Sequence, residues 1–198
     1  MNQEIEIEFK TVIQENDFKA LHKQLPFDDQ PVKQINYYFE TNQQDFKRKR
    51  CALRIREKAG KYTLTLKEPH KEGILETHDE LTKEECTAWL QGQPVIKPNT
   101  NKQLAALGIQ EKNIFYFGAL KTERYTYQTT DLLYVLDKSE YNQQLDYELE
   151  LEATDYTAGE QAFGELLKQY NIIKQEPVTK IERFFNTLQE GNNPAFEE

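Results

Sequence analysis

Glu148, Glu150 and Glu152 stand at every second position of one short segment, and Glu4, Glu6 and Glu8 repeat the pattern near the start of the chain, followed by Lys10. Residues two apart on a strand point to the same face. Carboxylates crowded in this way repel and raise one another's pKa. Opposing cations relieve that repulsion, as does a hard divalent ion that takes oxygen ligands. Cations occur at the same spacing: Arg54, Arg56 and Lys58 share one parity, and Lys61, Thr63, Thr65 and Lys67 share another. Glu76, His78 and Glu80 form a further row, as do Thr122 with Arg124 and Val135 with Asp137. Arginine and lysine neutralise phosphate oxygens, arginine in bidentate fashion. Acids on one wall and bases on another suit a metal-complexed polyphosphate, because phosphoryl transfer depends on positioning and charge neutralisation.

Taken strand by strand, alternating charge is the ordinary mark of a sheet face turned to water. Two features of the set point elsewhere. Acids dominate the first and last strands and bases dominate 50–67, so the charges are sorted by strand. The helices also carry apolar faces, which need the apolar side of a sheet to cover. The charged sides then look away from the helices, and closing the sheet removes its exposed edges. The expected class is α+β: an eight-stranded antiparallel closed β-barrel, a tunnel, with flanking helices.

Alternation predicts strands over 3–10, 32–41, 50–58, 61–67, 74–80, 114–127, 131–138 and 145–152. Ala59-Gly60 reads as a hairpin connection, 69–73 as a turn and 42–49 as a polar loop. Helices are predicted over 15–25 with Asn16 as cap, after Thr82 with Glu85 completing a capping box, over 100–107, over 157–170, and over about 178–189 following Pro177. That makes four or five helices.

The length, 198 residues, suits one domain spanning 1–198. A net charge of -9 disfavours nucleic acid as a partner. No apolar run approaches a membrane span. The charged N-terminus shows no signal peptide, and Cys51 and Cys86 read as free thiols in a reducing cytosol, so a cytoplasmic location is expected. His22, His70 and His78 lack HxH or HExxH spacing and read as surface residues rather than zinc ligands. Neither GxxxxGK[ST] nor GxGxxG occurs. The Arg48-Lys49-Arg50 run reads as a solvated loop ahead of a phosphate-binding patch, and Trp89 and Tyr170 as helix-packing residues. The sequence leaves the oligomeric state open.

Glu6-Ile7-Glu8-Phe9-Lys10 resembles the ExExK signature of the CYTH superfamily, the triphosphate tunnel metalloenzymes. Tyr37 to Thr41, Leu53-Arg54-Ile55-Arg56, Thr63 to Lys67, Thr122-Glu123-Arg124, Leu136-Asp137, Glu148-Leu149-Glu150 and Thr179 to Arg183 follow in the family's order. The resemblance covers about 4–187 and is nearest to bacterial stand-alone CYTH proteins. It implies a tunnel that binds a small triphosphate or polyphosphate, hydrolysed with Mg²⁺ or Mn²⁺. It implies metal-binding and catalytic roles for Glu6, Glu8, Asp137, Glu148 and Glu150, with Glu152 replacing a partner if the last strand's register shifts by two. It implies phosphate contacts from Lys10, Arg54, Arg56, Lys67, Arg124 and Lys180. Family members also include thiamine and RNA triphosphatases and class IV adenylate cyclases, so a cyclase, or a non-catalytic polyphosphate or nucleotide binder, is the alternative. Two positions depart from the pattern: Glu40 stands where Asp is frequent, and Glu123 stands where a base is frequent, which lowers the positive charge expected on that wall.

Overall fold

The structure, a computed structural model, describes residues 2–175 and 178–190, with side chains through Thr187. Eight strands are present: β1 (Gln3–Ile13), β2 (Val32–Thr41), β3 (Ala52–Lys58), β4 (Lys61–His70), β5 (Gly73–Leu81), β6 (Ile114–Gln128), β7 (Leu132–Tyr141) and β8 (Gln144–Ala153). They close into an antiparallel barrel in the order β1-β5-β4-β3-β2-β6-β7-β8. Six α-helices flank it among the described residues: α1 (Glu15–Gln24), α2 (Asp45–Arg48), α3 (Lys83–Leu90), α4 (Pro98–Ala106), α5 (Tyr156–Gln169) and α6 (Lys180–Glu190).

Closure depends on β1 being longer than its clean alternation. Gln3 to Glu6 pair with β5, and Ile7 to Ile13 pair with β8. The added Thr11-Val12-Ile13 is β-branched throughout and favours extended backbone. At the changeover the chains come very close: a Cβ on Gly73 would lie 2.2 Å from the Glu6 carbonyl oxygen. Position 73 therefore has to be glycine for β5 to meet β1.

Several local expectations change. The β4 strand continues through Pro69 to His70, leaving Lys71-Glu72 as the turn. Pro69 is tolerated because it lies near the strand's end, where one missing donor matters little. Helix α1 is capped from Gln14 with Asp17, not from Asn16. The expected loop at 42–49 contains α2, the helix beyond the four or five predicted. Glu40 explains it: its carboxylate accepts from the backbone N–H of Thr41 (2.8 Å), Phe46 (3.1 Å) and Lys47 (3.1 Å). A buried acid thus satisfies the donors of a short turn that sequence periodicity cannot register. The Thr82–Glu85 capping box of α3 is present as expected. Pro177, expected ahead of the last helix, lies outside the described residues.

The core lies outside the barrel wall. Helices α3 and α4 cover one side, where Trp89 and Leu104 pack with Phe39, Leu53, Ile55, Leu64 and Leu66. Helices α1 and α5 cover another, where Phe18, Leu21 and Phe163 pack with Leu136, Leu149 and Leu151. Each such side chain contributes about 1.5–3 kcal/mol on burial. Most of the apolar parity is thereby covered, Ile5 and Leu145 excepted, and the opposite parity lines the lumen.

Candidate functional site: a charged tunnel

The barrel encloses a cavity of about 720 Å³. Its lining includes Glu6, Glu8, Lys10, Arg54, Arg56, Lys67, Arg124, Asp137, Glu148, Glu150, Glu152 and Lys180. All twelve candidate residues thus converge, eleven from strands far apart in sequence and Lys180 from the start of α6.

One wall is acidic and cross-braced. Asp137, Glu148 and Glu150 each offer an oxygen within 4.8 Å of the others'. Arg124 grips Asp137 in bidentate fashion (2.8 and 2.7 Å) and reaches Glu150 at 2.8 Å. The Lys180 ammonium, from the start of α6, touches Asp137 and lies 3.0 Å from both Glu148 and Glu150. Burial pushes Glu148 up to about 7, against the pull of Lys180, and the neighbouring Glu150 adds to the rise. Burial acts on Glu150 and Asp137 too, but Lys180 and Arg124 outweigh it and hold both below the ordinary carboxylate range. A second group pairs Lys67 with Glu6 (2.7 Å) and Glu76. Burial raises Glu6 to about 7, while Arg54 and Lys67 overcome burial at Glu76 and bring it to about 2. In each group one carboxyl keeps a proton near neutrality while its neighbour is ionised, as crowded carboxylates must.

The opposite wall is cationic and unbalanced. Arg54 and Arg56 make no ion pair within 4 Å among the described residues, and Arg54 Nε is buried without a hydrogen-bond partner. Burial, then the like charges of Arg54 and Arg124, push the Arg56 guanidinium down to about 9, which still leaves it charged at neutral pH. Glu76 and Glu6 act on Arg54 without pairing with it, whereas burial and like charge prevail at Arg56, so an incoming anion is favoured there. The Asp137–Glu148–Glu150 group provides only oxygen donors, which fits a hard divalent cation, whereas Glu4, Glu76 and His78 set an imidazole nitrogen within 4.8 Å of two carboxylate oxygens.

A closed eight-stranded barrel with acids and bases facing across its lumen is matched by a family: residues 4–185 correspond to the CYTH domain. The chain belongs to the CYTH family. It is 44% identical over 186 residues to the Bacillus subtilis (strain 168) protein named "Putative triphosphatase YjbK", covering 93% of this chain and 96% of that one. Among solved structures, bh2851 of Bacillus halodurans, named a "putative adenylate cyclase", superposes with a TM-score of 0.89 at 36% identity, over 93% of this chain and 100% of that one. HpAC1 of Hippeastrum, described as having a dominant triphosphatase activity, superposes with a TM-score of 0.75 at 23% identity, over 92% and 96% of the two chains, and shows the shared fold.

Within this CYTH barrel the three β8 carboxylates share the lumenal face. Glu148 and Glu150 group with Asp137, whereas Glu152 stands opposite Glu8. Glu123 does not dilute the cationic wall. It points outward and pairs with Lys33 (3.7 Å) and Lys138 (3.3 Å). Glu80 and Lys61 share lumenal parity but lie exposed at strand ends. His78 is not a surface residue. It lines the tunnel, 3.0 Å from Thr65 Oγ1 through Nδ1 and 3.1 Å from Glu4 through Nε2. Its parity with Glu76 carried that signal, while the lack of a zinc motif pointed away from it. Of the Arg48-Lys49-Arg50 run only Arg50 lines the cavity, together with Lys47 just before the run. Arg183, absent from the expected set, binds Asp146 and Glu148, each at 2.8 Å. Its signal was its place one helical turn after Lys180.

Proposed function

We propose that this CYTH chain is a metal-dependent hydrolase of a small triphosphate. The observation that carries the proposal is the unbalanced Arg54–Arg56 wall facing the buried Asp137–Glu148–Glu150 group inside a closed lumen. The name of the 44% identical relative supports the same reading. Glu6, Glu8, Asp137, Glu148 and Glu150 would hold one or two ions, Mg²⁺ or Mn²⁺. When bound, such an ion neutralises phosphate oxygens and polarises the phosphoryl group.

Arg54 and Arg56 bind the anion first, because among the described residues no carboxylate forms an ion pair with either within 4 Å. Lys10, Lys67, Arg124 and Lys180 already touch carboxylates and share their charge with phosphate oxygens as these enter. Enclosure by the barrel excludes bulk water and strengthens each contact. The cations stabilise charge that develops on the terminal phosphoryl group.

The name given to bh2851 raises the cyclase alternative. Tyr38 and Phe185 are the aromatic residues of the cavity lining, and both pack in the cluster around α6. A nucleobase would find little free ring surface there, which favours hydrolysis. A phosphate-release assay on inorganic tripolyphosphate, with Mg²⁺ or Mn²⁺ against EDTA, tests the proposal. No metal-dependent release from tripolyphosphate, thiamine triphosphate or ATP would sink it. Cyclic AMP from ATP would instead support the cyclase.

We further take the chain as a single domain, 1–198 with its core at about 4–187, acting in the cytoplasm on a small-molecule partner. Two buried free thiols and the net charge of -9 support this. No described helix is long and apolar enough to cross a membrane.

A further inference from the structure

Along the inward parity of β2, Gln34, Asn36 and Tyr38 are uncharged and buried, and Glu40 beyond them spends its carboxylate on backbone N–H groups of Thr41 and α2. The register sets Gln34 opposite Lys58, Asn36 opposite Arg56 and Tyr38 opposite Arg54. On the other flank Arg56 faces Thr63 and Arg54 faces Thr65. Both guanidinium groups therefore have neutral residues directly opposite them on both flanking strands. Elsewhere in the tunnel Lys10, Lys67, Arg124 and Lys180 each touch at least one carboxylate.

One of these neutral neighbours touches its arginine. Arg56 Nε donates to Asn36 Oδ1 at 3.1 Å. Arginine has no acceptor, so the amide oxygen must be the atom it meets. Asn36 is 2% exposed, so water cannot readily replace that contact. Engaging Nε holds the guanidinium plane and leaves its positive charge for a partner from outside.

We propose that Asn36 is a positioning residue that orients Arg56 toward a phosphate group without cancelling its charge, so that neutrality at position 36 sets the tunnel's affinity for the anion. The inference rests on the triphosphate reading above. Its two components can be separated. Aspartate is isosteric and accepts the same hydrogen bond, more strongly, but adds a buried negative charge beside the phosphate's anchor. Alanine keeps neutrality and removes the acceptor. A hydrogen bond of structural value alone predicts that Asn36→Asp is harmless and Asn36→Ala costly. An orienting, charge-sparing amide predicts that Asp is the worse of the two for the anion.

The test is calorimetric titration of inorganic tripolyphosphate into the full chain in EDTA, which needs no turnover, alongside KM and kcat with Mg²⁺. Asn36→Asp is expected to weaken binding and raise KM by about tenfold or more with a smaller change in kcat, and Asn36→Ala by about threefold. Binding by the Asp variant within about twofold of the parent, or weaker binding by Ala than by Asp, would overturn the proposal. Should the Asp variant lack a cooperative melt, Asn36→Ser, a neutral acceptor, decides. Affinity above that of Ala supports the orienting role, and affinity equal to that of Ala removes it. A parent protein that binds tripolyphosphate but releases no phosphate with Mg²⁺ ends the hydrolase reading and leaves this inference standing, one that releases phosphate with Mg²⁺ but does not bind in EDTA ends this inference alone, and one that does neither ends both.

Discussion

At the scale of single residues, the tunnel divides its charges into groups that balance internally and groups that do not. Arg56 belongs to the second kind, so its replacement should be felt as lost binding. Arg56→Ala is expected to raise KM for tripolyphosphate by about 10- to 100-fold with a smaller fall in kcat, as removal of a charge-assisted phosphate contact does. Steady-state kinetics decide it, and an unchanged KM would count against the arginine wall. Glu8→Gln is expected to abolish turnover while leaving the melting temperature near that of the parent, read by phosphate release and a thermal melt. Glu6 and Glu148 predict a pH dependence as well. Both carry raised pKa values of about 7, and a divalent ion must displace their protons. Metal affinity should therefore rise with pH across neutrality, with proton release on binding. Titration in buffers of different ionisation enthalpy measures both.

At the scale of elements, α6 brings Lys180 and Arg183 into the acidic wall, and its apolar side holds it there. Phe184 packs with Tyr38, Leu120 and Tyr141. Gly118 makes this possible: a Cβ there would lie 2.3 Å from the Phe184 ring. Gly118→Ala must displace the ring or the strand, a clash of the kind that costs about 1–3 kcal/mol. The expected result is a lower melting temperature together with a loss of activity larger than the stability loss explains, because Lys180 and Arg183 withdraw from Asp137, Glu148 and Asp146. Full activity in a folded Gly118→Ala variant would show that α6 does not contribute to the site.

At the scale of the whole molecule, the lumen concentrates titratable groups whose shifts oppose one another. The raised carboxyls, Glu6 and Glu148, stabilise the fold fully below their unfolded value of 4.5, and that contribution is lost as pH rises through about 7. The depressed group of Glu76, Glu150 and Asp137 stabilises above the unfolded values and loses its contribution in acid. Stability without metal should therefore fall between about pH 5 and pH 8, measured as melting temperature in EDTA. Saturating Mg²⁺ with tripolyphosphate should raise the melting temperature and flatten that fall, since ligands that bind only the native state stabilise it by about 2.7 kcal/mol at a hundred times Kd. A melting temperature that climbs with pH in EDTA would contradict the assignment.

The order and spacing of the charged residues determined a great deal alone. Every candidate from Glu6 to Lys180 sits on a strand or helix start where parity and chain order put it, because side-chain direction along a strand follows from a two-residue period. Helix α3 was legible for the same local reason, its capping box being written in four consecutive residues. Tertiary structure decided what depends on partners distant in sequence. Strand β1 changes neighbour at Glu6–Ile7, α2 exists because Glu40 caps it, His78 is enclosed, and Glu123 faces out. It also decided which cations are spent on carboxylates and which remain free, since Asn36 opposite Arg56 and Arg124 opposite Asp137 are facts of register. A sequence states which face a charge takes, but the field it experiences is the sum over strands that only closure brings together.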